Sequence, residues 1–379
     1  MARNRARRSA GNRIIREEDR AHAMDYTTLF LVLFLLGFGL VILFSTSSYR
    51  GSMLYGDTAH WLKRQGFFAA AGVVGMLVVS RLDYHLLNYK FMAAAEYMGM
   101  MALLAATMAI GIAGNGSQRW LSVGPISFQP SELAKIVIIV FLAWYLTNNV
   151  VDMQYWTTLW RPVVISLFII GIVAVENLST AVILMAIMVI MIFVVNPSVF
   201  PFILLGILGA GGIAFMVMQQ GYRMARFEVW LHPETAENGA QTMAALYAIG
   251  SGGLFGKGLG QSMQKMILPE AYNDMIFSII CEELGLFGAI CVLLLFAALL
   301  WRFLIIALTS RDLFGSLIVI GVMAHLGCQV FVNIAVASNL VPNTGIPLPF
   351  ISYGGSSLVF LLIEMGLVLS VSRYIRIKR

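Results

Sequence analysis

The stretch Leu284-Gly-Leu-Phe-Gly-Ala-Ile-Cys-Val-Leu-Leu-Leu-Phe-Ala-Ala-Leu-Leu-Trp301 carries no charged side chain and no strongly polar one. A helix of about 20 such residues crosses the ~30 Å hydrocarbon core of a bilayer. In lipid the backbone must satisfy its own hydrogen bonds, so spans are helices or closed barrels. Barrel strands read as short alternating segments, whereas this run is continuous and therefore helical. The same character recurs along the chain. Of 379 residues, 59% are hydrophobic and 12% charged, with a mean hydropathy of +0.84, against roughly 25% charge in a soluble domain. These values predict an all-α, polytopic integral membrane protein.

About ten transmembrane helices are expected. They run from about Tyr26 to Thr46, Gly66 to Val79, Phe91 to Ala113, Glu132 to Thr147 and Pro162 to Val175. The rest run from about Ala181 to Val195, Val199 to Met218, Asp274 to Leu308, Leu317 to Ala337 and Leu358 to Ser372. Residues 25–373 thus form one membrane domain between basic tails, 1–24 and 374–379. A large outer loop, 219–273, separates the seventh and eighth spans. Arg3, Arg5, Arg7, Arg8, Arg13, Arg16 and Arg20 precede the first span, and Arg373, Arg376, Lys378 and Arg379 close the chain. Beside a membrane such clusters mark the cytoplasmic side and contact anionic lipid rather than nucleic acid. An even number of spans with two cytoplasmic tails is self-consistent. The first span is too long for a removable signal peptide and lacks a cleavage site. Cys281, Cys291 and Cys328 lie in apolar context and suggest neither disulfides nor a metal site.

The outer side holds Arg50, Lys63, Arg64, Arg119, Arg223, Arg226, Lys257 and Lys265, although the topology rule disfavours cations there. Lipid headgroups account for any single one. Together they favour an anionic, phosphate-bearing substrate.

Three outer segments carry candidate chemistry. Phe128-Gln-Pro-Ser-Glu-Leu-Ala-Lys135 opens the fourth span, with Pro130 in a first-turn position. Glu132 and Lys135 are neighbours on one face at i,i+3. Ionisable residues entering a span default to function, although a structural ion pair explains them too. Gly250-Ser-Gly-Gly-Leu-Phe-Gly-Lys-Gly-Leu-Gly260 invites a phosphate-loop reading and fails it, because Ser251 and Gly258 stand at required positions. Asp274 follows, where loop meets span, with Glu282 and Glu283 farther along the helix. A carboxylate at a dry boundary suits a general base; a helix N-cap suits Asp equally well. The third segment is Asn339-Leu-Val-Pro-Asn-Thr-Gly-Ile-Pro-Leu-Pro-Phe-Ile-Ser-Tyr-Gly-Gly-Ser-Ser357. Its prolines and glycines forbid a continuous helix, and irregular backbone at membrane depth is tolerated only against protein or a cavity. A re-entrant loop lining a site is predicted before the tenth span, with Ser352 and Ser356 facing substrate.

These segments together resemble the bacterial SEDS family (shape, elongation, division and sporulation), which includes RodA, FtsW and SpoVE. The resemblance rests on Gln129-Pro-Ser-Glu-Leu-Ala-Lys135, Leu268-Pro-Glu-Ala through Glu282-Glu-Leu-Gly285, and Pro347-Leu-Pro-Phe-Ile-Ser-Tyr-Gly-Gly-Ser356. Asn177-Leu-Ser-Thr180, Gly260-Gln-Ser-Met-Gln-Lys265 and Val341-Pro-Asn-Thr344 look more like its division or sporulation branch than its elongation branch. The resemblance implies a peptidoglycan glycosyltransferase of the bacterial cytoplasmic membrane that polymerises lipid II. Its implied partners are a class B penicillin-binding transpeptidase and other divisome or elongasome membrane proteins. The family's catalytic aspartate falls on Asp274, and its paired Glu and Lys on Glu132 and Lys135. Many relatives carry His two residues before that aspartate; here the position is Tyr272. An inverting transfer needs one base, Asp274, and positive charge at the departing diphosphate, from Arg119, Lys135, Arg223 or Lys257. Glu282 is placed on the substrate side with them. A divalent cation, Mg or Mn, suits the diphosphate, but no Asp-x-Asp motif calls for one. A lipid II flippase is the competing reading, and it needs no outer base; a non-catalytic scaffold leaves the intramembrane charges unexplained.

Overall fold

A computed structural model describes residues 23–375 apart from 115–116, 124–125, 152–154, 197–198, 219–220, 237–238 and 269–270. The arginines before Arg20 and Arg20 itself, Pro197-Ser198, Pro269-Glu270 and the terminal basic cluster from Arg376 lie outside the described residues.

The chain runs α1 (Tyr26–Tyr55), α2 (His60–Arg81), a 3-10 turn (Tyr84–Asn88) and α3 (Lys90–Ile110). Strands β1 (Ile112–Gly114), β2 (Ser117–Val123) and β3 (Ile126–Phe128) follow. Then come α4 (Pro130–Asn148), α5 (Trp156–Glu176), α6 (Leu178–Val195) and α7 (Val199–Met218). The large loop contains α8 (Gly221–Leu231), α9 (Ala240–Ser251) and α10 (Gln264–Ile267), before α11 (Ile276–Thr309), α12 (Leu313–Ala337) and α13 (Gly355–Ser372). Among the described residues, nine helices are long and apolar enough to cross a membrane; α7, apolar over Leu205–Met218, brings the number to about ten.

Local signals set the helix ends. Asp25 caps α1 by accepting from the Thr28 N–H at 3.2 Å and pairs with Arg302 at 2.6 Å. Burial raises the Asp25 carboxyl, and hydrogen bonds from Arg302 and Thr28 more than reverse that, leaving it below its usual range. Pro130 starts α4, Asn177 both ends α5 and caps α6, and Asp312 caps α12. At the far end of α12, the Leu340 N–H bonds to the Ala335 carbonyl and the Asn339 N–H to that of Val336. Asn339, at φ 55, closes this Schellman turn with the left-handed geometry that Asn tolerates.

Helices α4, α12 and α13 are central, and α2 and α3 peripheral, with Phe67, Val74, Phe91 and Met98 on exposed faces. Apolar faces need no protein partner where lipid surrounds them. One end of the bundle gathers Tyr84, Asp312, Tyr374 and the Asp25–Ser372 contact. The other gathers 56–59, the sheet, the large loop and 338–354.

The structure adds four features to the expected outline. The loop after the third span holds a small three-stranded antiparallel sheet ordered β1-β2-β3, an addition to the all-α membrane fold. The loop 219–273 contains the three helices α8, α9 and α10. α5 begins at Trp156, leaving Pro162 inside it. The eighth span is two helices joined at Gly285, whose φ of 68 and ψ of −168 are non-helical. There the glycine-rich segment supplies the backbone partners that the break removes. The Lys257 and Gly258 N–H groups donate to the carbonyls of Glu282 and Glu283, while those of Leu286 and Phe287 donate to Gly253 and Leu254, all at 2.9–3.0 Å.

Candidate active site

A cavity of about 350 Å³ lies at the loop-rich end, where α4, α12, α13 and the turn before α11 converge. Asp274, Glu132, Lys135, Ser356, Arg64 and Gln329 all line it.

Glu132 and Lys135 project from the first turns of α4 and pair at 2.9 Å, with the lysine side chain 4% exposed. Asp274 precedes α11, but the cap position is Met275 and no side chain caps it. The reading of Asp274 as the N-cap is therefore set aside, and Asp274 lines the cavity.

The turn that carries Asp274 is fixed by its backbone. Asn333 Nδ2 donates to the Asp274 carbonyl and to that of Ile346, both at 2.8 Å. The Ser352 hydroxyl donates to the Asn273 carbonyl at 2.6 Å and accepts from the Leu348 N–H at 2.8 Å. The Tyr353 N–H donates to the Tyr272 carbonyl at 2.9 Å. The segment 338–354 is non-helical, as its prolines and glycines require. Phe350, buried at φ 63, takes a backbone conformation rare for a bulky residue, and such strain concentrates at functional segments. Gln65 of α2 holds the next turn, donating to the Ser352 carbonyl and accepting from the N–H groups of Gly354 and Gly355. Trp61 packs on Tyr272 at 4.8 Å and Tyr353 at 4.9 Å between centroids. Tyr272 is thus part of an aromatic wall.

The predicted site residues separate into three groups. Asp274, Glu132, Lys135 and Ser356 share the cavity, and the Ser356 hydroxyl has no hydrogen-bond partner among the described residues. Arg119 and Arg223 line a neighbouring cavity of about 180 Å³ with Arg226. Asn177 and Thr344 border both cavities. Arg223 also donates to the Met216 and Ala174 carbonyls, and Arg226 to that of Asn343.

Lys257, Glu282 and Ser352 line neither cavity. Lys257 and Glu282 pair at 2.7 Å, and Glu282 also accepts from the Ser262 hydroxyl and the Met263 and Gln264 N–H groups. Fully buried and surrounded by donors, Glu282 locks the glycine-rich segment to the broken helix rather than meeting substrate. Ser352 holds backbone. Lys265, also counted among outer cations, bonds to the Ser45 and Gly260 carbonyls, and Lys63 pairs with Asp57. Much of the outer positive charge therefore serves the protein itself.

Sequence reasoning passed over Gln65, Gln329 and Asn333. Their signal was present: His325, Gln329 and Asn333 recur every four residues through apolar α12, one polar stripe on one helix face. Among the described residues no group of His, Cys, Asp and Glu is arranged to hold a metal ion.

A family model described as cell cycle protein, for FtsW, RodA and SpoVE, matches residues 26–377. Stage V sporulation protein E of Bacillus subtilis (strain 168) is 38% identical over 358 residues, covering 93% of this chain and 98% of its own. The probable peptidoglycan glycosyltransferase FtsW of the same organism is 36% identical, covering 93% and 91%. Among solved structures, one of a peptidoglycan synthase complex that coordinates polymerization and crosslinking aligns at a TM-score of 0.78 and 28% identity, covering 93% and 98%. The rod shape determining protein RodA of Thermus thermophilus aligns at 0.68 and 28%, covering 93% and 97%.

Proposed function

The chain belongs to the SEDS family of FtsW, RodA and SpoVE, and from that membership we infer that it is a multi-pass membrane peptidoglycan glycosyltransferase. Its substrate is lipid II and its product a β-1,4 glycan strand, made for division or sporulation. The observation that carries the site is the convergence of Asp274 and the Glu132–Lys135 pair on one cavity.

The acceptor sugar hydroxyl attacks the anomeric carbon of the donor in line. The new C–O bond forms as the bond to the diphosphate breaks, inverting the centre. The hydroxyl proton passes to the Asp274 carboxylate, and the bonding electrons leave with the diphosphate. Lys135, Arg64 and the arginines of the adjoining cavity supply positive charge where that negative charge develops. A class B penicillin-binding transpeptidase would crosslink the strand, in keeping with the synthase complex to which the fold is similar. A divalent cation would add charge at the diphosphate, and the carboxylates in reach are Asp274 and Glu132.

The test is polymer formation from labelled lipid II by the purified protein, wild type against Asp274→Asn. Because Asp274 is not at the cap position of α11, Asn should leave the fold intact while removing the proton acceptor. General base catalysis contributes about 10²–10⁴-fold, so polymer should vanish while lipid II binding persists. Full polymer formation by the Asn variant would refute Asp274 as the base, whereas a wild type that makes no polymer would favour a flippase, which moves lipid II without forming a bond.

A further inference from the structure

His325 of α12 and Glu364 of α13 meet in the membrane interior, Nδ1 to Oε2 at 2.6 Å, with side chains 2% and 1% exposed. Neither lines the main cavity, and glycosyl transfer as described above uses neither. An ionisable pair at such depth is costly, and an apolar pair of similar volume would pack there without that cost.

The opposite edge of the imidazole shows what the pair controls. His325 Nε2 lies 2.7 Å from Gln329 Oε1, and Gln329 Nε2 donates to the Pro347 carbonyl at 3.0 Å. A carbonyl only accepts, so the amide must turn its NH₂ to Pro347 and its oxygen to His325. That oxygen also only accepts, so Nε2 must carry a hydrogen. Glu364 secures this arrangement. Whichever of Nδ1 and Oε2 holds the proton between them, Nε2 keeps its own. The output of the pair is therefore the orientation of Gln329, and through it the place of Pro347.

Pro347 and Gln329 both line the main cavity. A smaller cavity of about 20 Å³ has Glu132 and Lys135 on its wall together with His325, Gln329 and Glu364. The relay thus ends on the wall of the reaction cavity and runs beside its ion pair.

We propose that His325 and Glu364 are positioning residues for glycosyl transfer, fixing Gln329 so that it pins the re-entrant segment at Pro347 against the Asp274 cavity. The proposal rests on the glycosyltransferase reading of that cavity. Its test pairs turnover on lipid II with backbone deuterium uptake over 345–352, a readout that needs no activity.

Losing one hydrogen bond of this kind is worth about tenfold. His325→Phe and Glu364→Leu should each lower kcat by about that factor, leave KM for lipid II within about twofold, and raise uptake over 345–352. Glu364→Gln should restore both readouts, because its amide can donate to Nδ1 and leave Nε2–H in place. His325→Phe combined with Gln329→Leu should be no slower than Gln329→Leu alone. The relay is overturned if Glu364→Gln behaves like Glu364→Leu, if the double variant loses activity additively, or if uptake is unchanged throughout. An inactive wild type overturns the functional reading, and uptake still decides the relay.

Discussion

Asn333 donates through one side-chain nitrogen to the backbone carbonyls of Asp274 and Ile346, each at 2.8 Å. One amide of α12 thus joins the turn carrying the proposed base to the re-entrant segment opposite it. Asn333→Asp replaces that donor with an acceptor of the same shape, and both carbonyls lose their partner at a fully buried position. Each lost bond costs about 1–3 kcal/mol. Polymerisation should fall by more than tenfold, with a lowered unfolding temperature. An Asp variant with wild-type turnover would show that Asp274 is held by other means.

Asp25 and Ile375, near the two ends of the described residues, lie at the bundle end opposite the cavity, through the Asp25–Ser372 and Ser310–Ile375 contacts. The basic tails would put that end in the cytoplasm, with the cavity outside, where lipid II is polymerised. Glu234 is exposed in the large loop. Glu234→Cys in intact cells should react with a membrane-impermeant thiol reagent without permeabilisation. Labelling that appears only after the membrane is broken would invert this orientation.

The Glu132–Lys135 pair separates function from scaffolding in a way that single substitutions do not. With the lysine 4% and the glutamate 13% exposed, removing one charge strands the other, which costs about 3–5 kcal/mol in a buried pair. Glu132→Gln and Lys135→Met should each lose both stability and polymerisation. The double variant should regain most of the stability, since no lone charge remains, yet stay inactive. Recovery of activity together with stability would make the pair structural.

Hydropathy made the crossings legible because lipid imposes one dominant constraint, a long apolar helix. Polar residues at span ends also singled out Asp274, Glu132, Lys135 and Ser356, which line one cavity. What pattern could not supply was who partners whom. Lys257 and Glu282 lie 25 residues apart in the chain, and nothing local says that they neutralise each other. Gly285 reads as an ordinary glycine in an apolar run, and only its contact with the 253–258 backbone makes it a break. The β1–β3 sheet is short and follows an apolar span, so the third span appeared to continue through Ile112 and Ala113.

The join at Gly285 gives the last prediction, a comparison of two glycines in one loop. Gly253 and Gly256 both have left-handed backbone, at φ 57 and φ 77, so alanine at either costs about 1–2 kcal/mol from conformation alone. Their surroundings differ. A Cβ at Gly253 meets open space, whereas one at Gly256 would sit 2.2 Å from the Glu283 carbonyl oxygen and 2.6 Å from the Gly285 nitrogen. Backbone cannot yield as a side-chain tip would, so the loop must lift from the helix. Lifting it stretches the Lys257 and Gly258 hydrogen bonds at 2.9 Å and draws Lys257 from its pairing with Glu282. Gly256→Ala should therefore lower the unfolding temperature by at least about twice the drop in Gly253→Ala, with a matching loss of polymerisation. The drop should shrink when Glu282→Gln is already present, because part of what the loop holds is then gone. Equal effects of the two alanines would mean that the glycine-rich segment does not clamp the broken helix, and that the join at Gly285 is held from within α11.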